Sequence, residues 1–169
     1  MGMNIFIISG VSKGLGYALV EKILSYELNN LKVIGLSRNV PDFEIRYPNK
    51  FEWINADFKN PEKILGLIEL KLNIHNPTTV CFINNAGDIN PIAKIGTIDD
   101  QKLFDSVSIN ILSPVICINY LLDYSSKLSK LILVNITSGA ANKAINGWSL
   151  YCSAKSYMKM YFDVLFSEL

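Results

Sequence analysis

The sequence predicts an α/β protein in which a doubly wound parallel sheet lies between two layers of helices. Short β-branched or aromatic runs alternate along the chain with longer segments whose apolar residues recur at helical spacing. The charged fraction is 18%, below the roughly 25% of an average soluble domain, which favours strands buried on both faces. The 169 residues contain no internal repeat and no linker, so we expect a single domain over residues 1–169.

The alternation assigns five strands and four helices. The expected strands are Asn4–Ser9, Leu31–Leu36, Phe51–Ala56, Val80–Asn84 and Leu131–Thr137, and the expected helices are Leu15–Leu28, Pro61–Leu72, Asp99–Leu122 and Ser149–Leu169. The segments Asn39–Asn49 and Asp88–Ile98 are expected to be loops. Strand–helix order of this kind predicts right-handed crossovers, with a ligand crevice at the carboxyl ends of the strands.

Composition and charge argue against several classes of function. The net charge is +1 and the chain has no basic run, so we expect neither nucleic acid nor a membrane surface as a partner. The apolar runs are shorter than the ~20 residues of a membrane span, and the N-terminus has no signal-peptide pattern. We therefore expect a cytoplasmic protein.

Cysteine and histidine usage indicates no metal site. Cys81, Cys117 and Cys152 are odd in number and lack metal-ligand spacing, which is typical of reduced thiols packed as small apolar groups. The single histidine, His75, precedes Asn76-Pro77 and is expected to lie on the surface in a loop.

A glycine-rich turn follows the first strand and enters the first helix. Residues 9–16 read Ser-Gly-Val-Ser-Lys-Gly-Leu-Gly, with the glycines spaced as Gly-x3-Gly-x-Gly. Glycine allows a phosphate to approach the backbone, and a helix N-terminus offers free N–H groups and partial positive charge. A tight turn without a ligand is the plain alternative. A Walker loop is excluded, because no Gly-Lys-Ser/Thr follows at the required distance.

Further motifs accompany this turn. Asn-Asn-Ala-Gly occupies Asn84–Gly87 after the fourth strand, Ser138 follows the fifth strand, Tyr151 and Lys155 form Tyr-x3-Lys, and Asn110 lies in the long helix. In this order the motifs resemble those of the short-chain dehydrogenase/reductase family. The stretches 83–95 and 135–155 are similar to its bacterial benzil reductase and sepiapterin reductase-like branch.

The resemblance implies a Rossmann fold that binds NADP(H) and reduces a small-molecule carbonyl or oxidises the corresponding alcohol. The implied catalytic residues are Asn110, Ser138, Tyr151 and Lys155, and Ser138, Trp148 and Tyr151 are expected to contact substrate. The expected cofactor-binding residues are Gly10, Ser12, Lys13, Gly14, Leu15, Gly16, Arg38, Asp57, Phe58, Asn85, Ala86, Gly87, Tyr151 and Lys155.

The residues after the second strand favour NADPH over NADH. An acid ~20 residues beyond the glycine loop binds the ribose 2′-hydroxyl in NAD enzymes, whereas an arginine accommodates a 2′-phosphate. This chain has Arg38 at that place and no acid, and Lys13 adds a second cation. Both could instead be solvated surface cations. Asp57 resembles the family's adenine-binding acid, although it could simply cap a loop.

Spacing within the last helix explains the expected chemistry. Tyr151 and Lys155 are four residues apart, so one helix face carries both. A phenol is a weak acid at neutral pH, and a nearby ammonium stabilises its phenolate. Tyr151 could then exchange a proton with the oxygen of a carbonyl or alcohol, while Ser138 orients that oxygen.

A proline four residues later predicts an irregular helix at Asn110. Pro114 lies four residues later and has no N–H to donate to the Asn110 carbonyl. We expect that hydrogen bond to be missing and the helix to bend. The resemblance implies that the main chain here holds a water that relays protons to Lys155. A plain helix kink is the alternative.

The chain departs from the family pattern at its C-terminal end. Family members continue with a sixth strand, a substrate-covering segment and a seventh strand, so we expect a C-terminally truncated fold with the fifth strand as an unprotected edge. A homodimer or homotetramer is implied by resemblance. Two other functions stay open: a non-catalytic NADP-binding protein, and an unrelated nucleotide-binding domain such as a methyltransferase, which the Tyr-x3-Lys pair disfavours.

Overall fold

In a computed structural model that describes residues 2–169, five strands form one parallel sheet. They are β1 (Asn4–Ser9), β2 (Leu31–Ser37), β3 (Phe51–Asn55), β4 (Thr79–Asn84) and β5 (Lys130–Asn135). Their order is β3-β2-β1-β4-β5, and every neighbouring pair is parallel. The chain order reverses direction between β1 and β4, which creates a switch point at the carboxyl ends of these two strands. The predicted fold class is confirmed.

Helices connect the strands. They are α1 (Gly14–Leu24), α2 (Phe43–Arg46), α3 (Pro61–His75), α4 (Asp100–Val107), α5 (Ser113–Tyr124) and α6 (Ser149–Glu168). A π-helical turn, Ser108–Leu112, joins α4 to α5 within the predicted long helix. Asp99 accepts a hydrogen bond from the Lys102 N–H as the N-cap of α4. Two short 3-10 turns, Ser125–Lys127 and Gly139–Ala141, flank β5.

Two expectations about these elements were wrong. The first helix ends at Leu24 rather than Leu28, and the Ser25 hydroxyl bonds the Lys22 carbonyl. Serine competes in this way with the backbone ladder of a helix. The expected loop Asn39–Asn49 contains α2, whose Phe43 is fully buried and lies 4.3 Å from the Tyr17 ring between centroids. Tertiary packing, which local patterning does not report, stabilises this single turn.

Two apolar clusters cover the two faces of the sheet. On one face α1 and α2 contribute Val20, Leu24 and Phe43. The opposite face is covered by α3, α5 and α6, through residues that include Ile64, Ile68, Leu72, Cys117, Ile118, Leu121, Met158 and Leu165. Cys81 and Cys117 are buried as free thiols, as expected, whereas Cys152 is half-buried. The sheet is thereby the middle layer of a three-layer sandwich.

β5 is the least buried strand. It pairs with β4 on one side only, so it forms one edge of the sheet, as predicted. None of its residues is buried: Lys130 and Ile132 are exposed, Ile132 at 36%, and the other four are half-buried. β1 and β2, by contrast, are almost entirely buried. An edge with free backbone groups and exposed apolar side chains is a site at which further chain can pair.

One helical segment among the described residues, Asp100–Lys127, is long and apolar enough by composition to cross a bilayer, with a mean hydropathy of 1.4. Cys117, Ile118 and Leu121 from this segment lie fully buried against the sheet.

Three basic side chains surround Glu52 at the opposite end of the sheet from the crevice. Its carboxylate contacts Lys32 Nζ at 2.5 Å, Lys71 Nζ at 2.7 Å and His75 Nε2 at 2.9 Å. The expectation that His75 lies in a surface loop was wrong: it is the last residue of α3, and its side chain is 13% exposed. The helix continues past Leu72 because left-handed Asn76 caps it and donates to the Leu72 carbonyl.

We expect Glu52→Gln to lower the free energy of unfolding by about 1–2 kcal/mol at pH 7, once solvent screening is allowed for. Burial opposes the charge of Glu52, but the three basic contacts outweigh it and lower the pKa from 4.5 to about 2. The stabilisation is therefore complete above pH 4.5 and is lost as the pH falls from 4.5 towards 2.

Urea unfolding of both proteins between pH 2 and 7 measures this difference. Glu69→Gln, on the exposed surface of α3, is the matched control and should change stability little. A Glu52→Gln deficit that persists undiminished at pH 2 would contradict the assignment.

Candidate active site

A crevice of about 570 Å³ lies at the carboxyl ends of the strands, at the predicted position. It is lined by residues that follow β1, β2, β3 and β4. Of the predicted cofactor-binding residues it brings together Gly10, Ser12, Lys13, Gly14, Arg38, Asp57, Phe58, Asn85, Ala86 and Gly87. It is also lined by Ser37, Ala56, Asp88, Asn90 and Ile109, which the sequence did not indicate.

Glycine is required at three places in the loop after β1. Gly10 and Gly14 have φ values of +76° and +63°, in the left-handed region that side chains disfavour. A Cβ on Gly14 would meet nothing within 4 Å, so this backbone faces open space. A Cβ on Gly16 would lie 2.2 Å from the Gly10 carbonyl oxygen. Gly16 thus allows α1 to start directly against the turn, while the neighbouring Leu15 side chain is 53% exposed.

Ser9 joins this loop to the turn after β4. Its fully buried hydroxyl accepts hydrogen bonds from the N–H groups of Asn85 and Ala86, at 2.9 and 2.8 Å. The Asn85 side-chain amide donates back to the Ser9 carbonyl at 2.9 Å. Sequence reasoning missed Ser9, although a small polar residue at the end of an otherwise apolar strand is a usable signal. These bonds hold the two halves of the crevice in register.

The charged candidates lie at the outer end of the crevice. Lys13 and Arg38 are both exposed and border the same space, after β1 and β2 respectively. Asp57 lines the crevice and also accepts a hydrogen bond from the Lys59 N–H, so it caps its loop whatever else it binds. Phe58 is 8% exposed, and its carbonyl accepts a hydrogen bond from Ser113. A basic rim next to a half-buried acid is suited to a phosphorylated nucleoside.

Asn110 lies inside the π-helical turn. The Ser113 N–H donates to the Ser108 carbonyl five residues earlier, so the α-helical ladder is displaced just before Pro114. The expected disruption of the ladder at this place is confirmed. The Asn110 amide accepts from the Asp88 N–H at 3.0 Å and donates to the Asp88 carbonyl at 2.9 Å. It also donates to the Ser106 carbonyl at 3.0 Å, so this buried side chain has partners on both sides.

Lys155, Asn110 and Gly87 converge at the inner end of the crevice. A Cβ on Gly87 would lie 3.3 Å from Asn110 Oδ1 and 3.6 Å from Lys155 Nζ. Lys155 is 7% exposed and donates to the Ile136 carbonyl at 3.1 Å. Burial lowers its pKa from 10.5. A buried ammonium with one protein hydrogen bond retains donors for other partners.

Tyr151 stands one turn before Lys155 on α6. Lys155 Nζ lies 5.7 Å from the centroid of the Tyr151 ring. Trp148 packs edge-on against that ring, with centroids 6.0 Å apart and planes at 81°. The loop that contains Trp148 is held by a bridge to Ala93, whose N–H donates to the Gly147 carbonyl at 2.9 Å. The phenol is therefore fixed between an aromatic edge and an ammonium.

Ser138 occupies the loop between β5 and α6. Its hydroxyl accepts a hydrogen bond from the Ala140 N–H at 3.2 Å and caps the 3-10 turn Gly139–Ala141. Ser138, Trp148, Tyr151 and Lys155 do not border the 570 Å³ crevice, whose lining after β4 includes Gly87 and Asp88. The catalytic candidates thus lie beyond the inner end of the crevice, on the elements that follow β5.

The residues fit a nicotinamide dinucleotide. Gly14 leaves open space beside a helix N-terminus, which suits a pyrophosphate. Two cations stand at one end of the crevice, and the buried ammonium of Lys155 stands beyond the other. Among residues 2–169 no group of three acidic, histidine or cysteine side chains could hold a metal ion.

Comparison with known proteins agrees with this arrangement. The chain is similar to the benzil reductase of Bacillus subtilis, at 29% identity over 160 residues. The match covers 94% of this chain and 65% of the relative, so the chain spans about two thirds of that protein's length. It is also 26% identical to the sepiapterin reductase of Xenopus tropicalis over 182 residues, which covers 99% of this chain and 70% of the relative. Relatives of the predicted branch are thereby found.

The fold is likewise shared with solved structures. A short-chain dehydrogenase/reductase from Burkholderia vietnamiensis superimposes with a TM-score of 0.86 at 23% identity, over 97% of this chain and 76% of that one. The family model for short chain dehydrogenase matches residues 4–169. The chain belongs to the short chain dehydrogenase family, whose members are oxidoreductases that act on CH–OH or C=O groups with a nicotinamide cofactor.

Proposed function

We propose that this chain carries the catalytic residues of an NADPH-dependent carbonyl reductase or alcohol dehydrogenase of the short-chain type, with Tyr151 as the proton donor. The observation that carries the proposal is the convergence of Gly87, Asn110 and Lys155 beside Tyr151, at the inner end of a crevice suited to a dinucleotide. A bound reduced nicotinamide supplies the hydride that such a reaction needs.

Tyr151 and Lys155 divide the acid–base work. Tyr151 donates its phenolic proton to the substrate oxygen during reduction, and its phenolate accepts a proton from the alcohol during oxidation. The buried Lys155 ammonium, 5.7 Å from the ring centroid, stabilises the phenolate across a medium of low dielectric. Ser138, in the loop before α6, donates a hydrogen bond to the same substrate oxygen and orients it. Trp148 restricts the Tyr151 ring and lines the substrate side.

Asn110 supports a route for proton resupply. Its side chain is committed to Asp88 and Ser106, and this fixes the π-helical turn against the loop after β4. Pro114 cannot donate to the Asn110 carbonyl, and we propose that this carbonyl accepts from a water instead. A water between that carbonyl and the Lys155 ammonium would connect Tyr151 to solvent.

Arg38 and Lys13 support NADPH as the cofactor. Both border the crevice where the adenosine ribose would lie, and a guanidinium can bind a phosphate with two parallel hydrogen bonds. Arg38 and Asn39 come directly after β2, so no carboxylate stands at this place to accept a hydrogen bond from a ribose 2′-hydroxyl. Of the two cofactors that the family uses, NAD and NADP, this end of the crevice favours NADP, whose adenosine ribose carries the 2′-phosphate.

The substrates named for two relatives suggest a substrate class for this chain. Benzil and sepiapterin both carry carbonyl groups, and we propose a ketone, a diketone or a pterin side-chain carbonyl as the substrate class. Purified protein assayed with NADPH against a panel containing benzil and sepiapterin tests the proposal through absorbance at the nicotinamide band. Failure to oxidise NADPH with any member of a broad carbonyl panel would favour a non-catalytic cofactor-binding role.

We expect Arg38→Asp to raise the Kd for NADPH by about fifty-fold and the Kd for NADH by no more than about two-fold. The substitution removes a phosphate ligand and places a carboxylate where the 2′-phosphate would lie, whereas a 2′-hydroxyl can still donate to that carboxylate. Titration calorimetry with each cofactor measures both constants. Lys130→Asp, at the exposed start of the edge strand β5, controls for the change of charge. A parent protein that binds NADPH and NADH equally would refute the assignment.

A further inference from the structure

Trp53 does not line the cofactor crevice, but it donates hydrogen bonds to Ser37, which does, and the reaction scheme leaves it unused. It lies on β3, where its indole Nε1–H donates to the Ser37 carbonyl at 3.2 Å and to the Ser37 hydroxyl at 3.1 Å. The Ser37 hydroxyl in turn donates to the Asn39 carbonyl at 2.8 Å. These bonds hold the residue before Arg38 and the residue after it.

Further hydrogen bonds hold Trp53 and Ser37 themselves in place. The Trp53 N–H donates to Glu44 Oε1 at 3.0 Å, which ties the strand to α2. The Ser37 carbonyl also accepts from the Ala56 N–H at 3.0 Å, and Ser37 is 4% exposed. The backbone on both sides of Arg38 is therefore fixed from β3, although the Arg38 side chain itself is exposed.

We propose that Trp53 is a positioning residue that sets the preference for a 2′-phosphorylated nucleotide, by holding the backbone around Arg38. The inference rests on the proposed use of NADPH. An exposed arginine on a mobile turn loses conformational freedom when it binds a phosphate, and a fixed backbone removes part of that cost beforehand. The 2′-hydroxyl form makes no such demand on Arg38, so Trp53 acts on one nucleotide and not on the other.

The indole N–H is the part of the side chain that this role requires. Packing alone would be served equally by phenylalanine, which retains an aromatic ring but has no donor. Trp53→Phe therefore removes the two hydrogen bonds to Ser37 and keeps an apolar ring on β3. Ser37→Ala interrupts the same series of hydrogen bonds at its second member, because it removes the hydroxyl that donates to the Asn39 carbonyl while leaving the indole in place.

The test uses two small probes that differ by the phosphate. 2′,5′-ADP and 5′-AMP are titrated calorimetrically into the parent chain, Trp53→Phe and Ser37→Ala. We expect each variant to weaken 2′,5′-ADP by about five-fold, the effect of losing one or two hydrogen bonds, and to change 5′-AMP by less than about two-fold. In an Arg38→Ala background the same substitutions should have no further effect on the ratio of the two affinities. Thr78→Val, which deletes a hydroxyl bond to Met3 at the other end of the sheet, is the control.

The affinities of the parent and the variants for the two probes separate the role of Trp53 from the choice of cofactor. A parent that prefers 2′,5′-ADP while both variants keep that preference overturns the inference and leaves NADPH use intact. An equal loss of affinity for both probes also overturns it, since it marks general damage to the crevice. A parent without any preference overturns the proposed cofactor and this inference together. If Trp53→Phe fails to fold by circular dichroism, the smaller change in Ser37→Ala decides alone.

Discussion

Replacing Tyr151 with phenylalanine will lower kcat for carbonyl reduction by about a thousand-fold, which is within the range that a positioned proton donor contributes. Phenylalanine keeps the ring, so the edge-on contact with Trp148 and the approach of Lys155 Nζ survive. Only the hydroxyl is lost. The substrate oxygen would then have to take its proton from solvent while it receives the hydride.

Steady-state rates with NADPH and a diketone measure this loss, and calorimetry measures NADPH binding in parallel. NADPH affinity should change by less than about three-fold, because the phenol takes part in a proton transfer that occurs after binding. Tyr157→Phe, six residues later on the same helix, is the matched control and should keep the parental rate. Retention of near-parental activity by Tyr151→Phe would show that another group supplies the proton.

The parallel sheet and the general place of the crevice could be predicted because they depend on local patterns. Five short apolar runs and the helices between them predict a parallel sheet, and a parallel sheet places its ligand at the carboxyl ends of its strands. The glycine loop and the Asn-Asn-Ala-Gly turn both end strands, so they had to meet there. Their meeting is observed in the hydrogen bonds between Ser9 and Asn85.

The contacts that fix the site could not be predicted, because they join residues far apart in the chain. Nothing near Trp53 in the sequence indicates that its indole will bond Ser37, sixteen residues away. The same holds for Asn110 and Asp88, which are twenty-two residues apart. Glu52 and His75 also meet only through tertiary packing. Periodicity reports which face of an element is apolar, but it does not report which polar group faces which across a layer.

The effect of Pro114 on the helix could be predicted from the sequence only in part. The sequence alone indicates that the helical ladder must fail at Asn110, since proline has no donor. The structure accommodates the failure with a five-residue π-helical turn and a Ser113-to-Ser108 hydrogen bond. A single extra residue in a helix of this kind shifts every later side chain around the helix axis. Beyond the turn, Cys117, Ile118 and Leu121 of α5 lie buried in the cluster that covers one face of the sheet.

Replacing Lys155 with methionine will lower kcat by two to three orders of magnitude while leaving the fold intact. Methionine is similar in length and apolar, so it fills the buried site without a charge. The phenolate of Tyr151 would lose the cation that stabilises it. The cost to stability should stay below about 1 kcal/mol, because the lost hydrogen bond to the Ile136 carbonyl is offset by the removal of a poorly solvated ammonium. Turnover and thermal unfolding of the same preparations measure the two effects separately.

The pH dependence of stability gives a second, independent measurement on the same variant. Burial lowers the pKa of Lys155 below 10.5 in the folded protein, so the folded state releases this proton before the unfolded chain does. In the interval between the lowered pKa and 10.5 the unfolded chain binds more protons, and the parent therefore gains stability as the pH rises. Lys155→Met has no such group, so the difference in unfolding free energy between parent and variant should increase in the parent's favour through that interval. A difference that stays flat with pH would mean that Lys155 is solvated well enough to titrate normally, and its role as a desolvated cation beside Tyr151 would fail.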